Sequence, residues 1–231
     1  MGRPRRHYGS SEAVIAALSR SYDSIWKKYI EVSNPPTTLY HYCRHEAFCS
    51  IVRGGMLRAS DVWCMDDQTE ITYALQDVLG PIVAERDGSG EEKYYLRGVA
   101  RPEVIKAVCS TWCTHIACLS ASAEVPSQWK DYAGCTGYAI GFDQHALGKW
   151  CASRNIALLP MNYELSVQQK ILREFLEREK GIELTRLGGK EVGAATVSEV
   201  RSHANKYLHS LTLSMKSEEW HRQQEWRILV V

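Results

Sequence analysis

Apolar positions recur at three- and four-residue steps between Ser10 and Ile30, at Val14, Ala17, Leu18, Tyr22, Ile25, Trp26 and Tyr29. They follow a Ser-Ser-Glu start, and this spacing predicts a capped amphipathic helix. Asn34-Pro35-Pro36 ends it and leads into a short strand to Tyr42. A helix from Arg44 to Val52 is closed by Gly54-Gly55, and Met56 to Ser60 is extended. Asp66, Asp67 and Glu70 lead a loop into a helix reaching Val83 with a kink at Pro81, and Pro102 opens another that runs to Cys113. Beyond it the period changes from helical to alternating. Strands are predicted over 114–122 and 136–142, a helix over 143–153, a strand over 156–163 and a charged helix over 166–180. Gly188, Gly189 and Gly193 precede a long helix over 197–214, and 226–231 is a final apolar strand.

Helices come first and strands are scattered among later helices, without regular strand-helix alternation or a glycine-rich phosphate loop. This order predicts an α+β fold and excludes the doubly wound nucleotide folds. A length of 231 residues suits one domain, residues 37–231, with residues 1–36 packed on it as a tail and helix.

Charge changes the picture by removing partners. Lys plus Arg number 28 and Asp plus Glu 27, so no global field draws the chain to nucleic acid, although a local patch stays open. The chain has no apolar run of roughly eighteen residues, and Met1 to His7 lacks the apolar segment of a signal peptide, so no membrane contact and a cytoplasmic protein are expected. The eight cysteines then read as reduced thiols. Cys109, Cys113, His115 and Cys118 lack the Cys-x2-Cys spacing of a zinc knuckle, and small buried hydrophobes are the plainer reading, so no metal is expected. Cys43 or Cys135 with His41 or His115 would suit a thiol hydrolase, but no local signature selects a pair.

Three polar elements carry the candidate chemistry. A His-Tyr pair, His41-Tyr42, closes an early strand, Ser120 lies on a middle strand, and Gln223-Gln224-Glu225 opens the last one. Each has a plainer reading. Glu225 would pair at the surface with Arg222 or Arg227, His41 would be a satisfied strand-end residue, and Ser120 would be a turn residue. Trp129, Tyr132, Trp220 and Trp226 read first as packing aromatics, and the run from Glu174 to Lys180 as a solvated helix face. Arg3, Arg5 and Arg6 form a basic terminus.

The motifs Leu39-Tyr40-His41-Tyr42, Met65-Asp66-Asp67-x-x-Glu70, Cys118-Leu119-Ser120, Gln128-Trp129-x-x-Tyr132-Ala133, Gly141-Phe142-Asp143 and Trp220-x4-Glu225-Trp226-Arg227 occur in this order. Together they make the chain resemble the bacterial family called domain of unknown function 2971. That family is similar to the ADP-ribosyltransferase superfamily, which implies a split, mixed sheet with flanking helices around a cleft for NAD as substrate. The resemblance implies that Glu225 is the catalytic carboxylate and that His41 is a ribose ligand. Tyr42 is placed at the nicotinamide side, with a ring for nicotinamide or a phenol for a phosphate, and Ser120 is the residue that orients Glu225 by a hydrogen bond. Trp129 and Tyr132 fall in the same cofactor-binding set. Gln223 stands where the family carries a Glu, which disfavours an arginine acceptor, because an amide does not pair with a guanidinium as a carboxylate does.

The implied activity is cleavage of the nicotinamide-ribose bond and transfer of ADP-ribose to a protein or nucleic-acid acceptor. Two alternatives stay open. One is a catalytically silent module of the same fold that binds a nucleotide, nucleic acid or protein. The other is an NAD glycohydrolase of a toxin or defence system.

Overall fold

A computed structural model describes residues 11–65, 72–85, 114–186 and 194–230. The predicted helix at 102–113, the polar turn at 87–92, the acids Asp66, Asp67 and Glu70, the glycines at 188–193 and the basic terminus lie outside the described residues, as do Cys109 and Cys113.

Helix α1 is Ser11–Tyr29, strand β1 Thr38–Cys43 and helix α2 His45–Gly54. Gly55 ends α2 with φ 61°, a left-handed cap that suits a residue without a Cβ. The short strand β2, Ser60–Asp61, follows, then a π-helical turn, Ala74–Leu79, that runs straight into helix α3, Gly80–Glu85. The irregular turn falls just before Pro81, where the kink was expected. Strand β3 is His115–Ser120, helix α4 Pro126–Asp131, strand β4 Tyr138–Asp143 and helix α5 Gln144–Ala152. Asp143 caps α5 by accepting a hydrogen bond from the Ala146 amide. Strand β5, Ala157–Pro160, helix α6, Leu165–Arg186, and helix α7, Ala194–Thr212, lead to strand β6, Glu225–Val230.

The sheet runs β4-β1-β3-β6-β5, with β2 beside β3. All of its described pairings are antiparallel. The α+β class is as expected, and the mixed sheet is corrected to an open antiparallel one flanked by helices.

Strand parity sorts the core. Trp226 and Ile228 of β6 pack with Ala117 and Leu119 of β3, Leu39 of β1 and Cys151 of α5 on one face. The other face carries the larger core, in which Ile116 and Leu229 meet Ile171, Leu172 and Phe175 of α6, Leu208 and Leu211 of α7, and the apolar side of Ala74–Val83. Glu225 and Arg227 share the face of Leu229, so these two charged residues are directed into the main core. The charged run of α6 is correspondingly not all solvated. Glu179 is buried, and Glu174 accepts hydrogen bonds from Lys28, Tyr29 and Arg178.

Candidate functional site

β1 and β2 occupy the same edge of β3, and between them the sheet opens. β1 is registered to β3 at Tyr40 opposite Ser120, and β2 takes the other end of β3 at His115 and Ile116. In the opening, the His41 ring replaces a ladder bond, its Nδ1 lying 3.0 Å from the Cys118 carbonyl oxygen. A carbonyl only accepts, so Nδ1 carries the hydrogen and Nε2 of the neutral ring is an acceptor. Burial pushes the His41 pKa below 6.5, against a smaller upward effect of the Cys118 hydrogen bond, so the ring is neutral at pH 7.

A cavity of about 370 Å³ occupies this opening, and His41, Tyr42, Arg58, Lys216, Gln223 and Glu225 contribute to its wall. By strand parity His41 belongs to the sheet face opposite Glu225, yet both line the same cavity. The opening between β1 and β3 is what brings them to one space.

Glu225 is 3% exposed and its carboxylate is held at both oxygens. Lys216 Nζ donates to Oε2 at 2.6 Å, and Arg227 Nε donates to Oε1 at 2.6 Å. Arg227 also donates to the Leu213 carbonyl, and the Glu225 amide donates to the Tyr163 hydroxyl. Burial raises the carboxyl pKa, but the Arg227 and Lys216 charges and their hydrogen bonds outweigh it and hold Glu225 well below the usual carboxylate range. The expected surface pair with Arg222 or Arg227 is therefore a buried cluster of Arg227 and Lys216 around one carboxylate. Lys216 was missed in the sequence, where nothing distinguishes it from an exposed lysine.

The Lys216 ammonium also donates to Gln223 Oε1 at 2.8 Å. This fixes which way the amide points, because an ammonium offers only donors, and leaves the Gln223 NH2 as the donor side of that residue. Gln223 ends a 3-10 turn, Glu218–Gln223, and Gln224 follows with φ 47°. A non-glycine residue in the left-handed region costs about 1 kcal/mol or more. The Ala121 amide and the Ser120 hydroxyl hold this bend by donating to the Gln224 and Gln223 carbonyls at 2.9 and 2.8 Å.

That contact corrects the role expected of Ser120. It faces Glu225 across the β3–β6 ladder, but its single hydroxyl hydrogen goes to the Gln223 carbonyl and its oxygen accepts from the Ser122 amide. Ser120 thus fixes the backbone before Glu225 and does not bond the carboxylate. The Tyr42 phenol is likewise committed, donating to the Ser122 carbonyl at 2.8 Å and accepting from the Val125 amide at 3.2 Å. Only its ring remains for the cavity. Trp129 stands edge-on to that ring at 5.3 Å and donates its indole hydrogen to the Ala123 carbonyl, so it supports Tyr42 from behind. Tyr132 lines the cavity and is 49% exposed.

Among the described residues no three His, Cys, Asp or Glu side chains are grouped to hold a metal ion, and no helix is long and apolar enough to cross a membrane. Residues 128–228 match the family model described as protein of unknown function (DUF2971). The matched stretch includes Gln128, Trp129, Tyr132, Lys216, Gln223 and Glu225, while His41 and Ser120 precede it. No curated protein and no solved structure matches the chain.

Proposed function

We propose that this chain is an NAD-dependent ADP-ribosyltransferase-like enzyme, with the opening between β1 and β3 as its NAD cleft and Glu225 as its catalytic carboxylate. One observation supports the reading above others: His41 of the first strand and Glu225 of the last line a single cavity in the split of the sheet. In this reading the fold is the split sheet of that superfamily.

Cleavage of the nicotinamide-ribose bond passes through an oxocarbenium-like state, and a fixed carboxylate at the ribose stabilises the developing charge. Glu225 is ionised and immobile, and a carboxylate has about four lone-pair sites, so two ion-pair donors leave room for a ribose hydroxyl. The His41 Nε2 accepts from a second hydroxyl. The C–N bonding pair leaves with nicotinamide, and the acceptor supplies the pair that closes the new bond at C1′ and loses its proton. With water as acceptor the same steps give a glycohydrolase. The protein or nucleic-acid acceptor presents itself to the Gln223 amide.

A second reading is favoured by a specific observation. Lys216 and Arg227 already occupy both oxygens of Glu225, which suits a module that binds a nucleotide without cleaving it. Release of nicotinamide from NAD separates the two. Release by wild type and its loss in a folded Glu225→Gln variant support the enzyme, and no release by wild type rejects it in favour of the module.

A further inference from the structure

Met56 to Ser60 carries a side-chain alternation whose polar member the proposed chemistry leaves unused. Leu57 and Ala59 pack against the core around Leu39 and Trp226. Arg58 between them is exposed and lines the cavity. No hydrogen bond, ion pair or aromatic contact to another described residue holds its guanidinium, as is also true of several arginines away from the cavity. The same cavity is lined by Lys216, 4% exposed, its ammonium 2.6 Å from Glu225 and 5.4 Å from the Trp220 ring centre.

We infer that the cavity takes a phosphate-bearing ligand, and that Arg58 at the rim and Lys216 in the wall are the residues that recognise its phosphate. The inference deepens the NAD reading and rests on it for the identity of the rest of the ligand. A guanidinium presents a planar fork of donors that matches two phosphate oxygens, whereas an ammonium acts as a compact point charge. Arg58 is exposed in the cavity wall, where its guanidinium offers hydrogen-bond donors to an anionic group of the ligand. His41 and the Tyr42 ring line the same cavity and suit a neutral ring or sugar.

The test is titration calorimetry of the full chain with inorganic pyrophosphate, ADP-ribose and nicotinamide riboside, the last being free of phosphate. Pyrophosphate and ADP-ribose are expected to bind, with affinity falling about tenfold in Arg58→Ala and largely recovered in Arg58→Lys. Nicotinamide riboside is expected to be indifferent to Arg58. Lys216→Met leaves Glu225 with Arg227 alone and risks unfolding, so the exposed Arg58 carries the experiment. Absent pyrophosphate binding, or equal binding by wild type and Arg58→Ala, overturns the inference. Turnover of NAD with unchanged KM in Arg58→Ala rejects this phosphate site while leaving the enzyme reading intact. Arg58-dependent binding of pyrophosphate and ADP-ribose without NAD turnover supports the site and rejects the enzyme.

Discussion

The ammonium of Lys216 and the carboxylate of Glu225 meet at 2.6 Å with side-chain exposures of 4% and 3%. A pair so far from water is held by mutual compensation, since each charge alone would carry a desolvation cost of several kcal/mol. Arg227, 1% exposed, completes the arrangement on the other oxygen. The consequence is a carboxylate that is fixed in direction and stays ionised.

Removing that carboxylate leaves two buried cations facing each other. Glu225→Gln is expected to lower stability by about 3–5 kcal/mol in urea unfolding. The pH dependence follows from a pKa lowered from 4.5 to about 2. The unfolded chain binds more protons over that interval, so the contribution of Glu225 is complete above about pH 4.5 and is lost as pH falls toward about 2. The variant should lack this part of the acid-unfolding profile.

Ser120→Ala tests a backbone role. It removes the hydrogen bond to the Gln223 carbonyl while leaving every partner of the Glu225 carboxylate in place. A stability loss of about 1–2 kcal/mol is expected, together with a lower kcat for NAD and little change in KM. An unchanged kcat would show that the bend at Gln224 does not depend on Ser120.

Tyr42→Phe separates packing from binding. The variant keeps the ring against Trp129 and strands the Val125 amide and the Ser122 carbonyl. Thermal unfolding should report a loss of about 1–3 kcal/mol, and NAD affinity should be nearly unchanged. A large loss of affinity without a loss of stability would place the phenol on the ligand.

In the proposed NAD site, His41 sets the acid side of binding. Its pKa lies below 6.5 because it is buried, so the folded chain resists protonation there and loses stability as pH falls below 6.5. Affinity for NAD should be flat from about pH 8 to about 6.5 and decline below, as Nε2 changes from acceptor to donor. His41→Ala is expected to weaken NAD about tenfold and to abolish that decline.

Strands β1, β4 and β6 were legible because each carries a local signal: Pro36 before β1, Asp143 at the end of β4 and the unbroken apolar run from Trp226. A pairing of Glu225 with Arg222 or Arg227 was also expected, though at the surface, and the longer β6 puts Glu225 and Arg227 on one side of the strand. What sequence could not supply was depth. Lys216 looks like any solvated lysine until the helix before it and the bend after it fold its ammonium onto β6. Arg58 drew no attention because its place in the cavity wall depends on the opening beside β3, a non-local feature. Ser120 was expected on a middle strand as the residue that orients Glu225, but the direction of a single hydroxyl hydrogen depends on a carbonyl brought in by a 3-10 turn that has no clear sequence signature.

The most direct measurement of the central claim is transfer of label from the adenylate part of NAD into macromolecules of a cell lysate, with wild type and Glu225→Gln compared at equal folded concentration. Labelled protein or nucleic acid, with stoichiometric nicotinamide, is predicted for wild type alone. Neither label nor nicotinamide from a folded wild-type chain would contradict the account and leave a cavity that binds without cleaving.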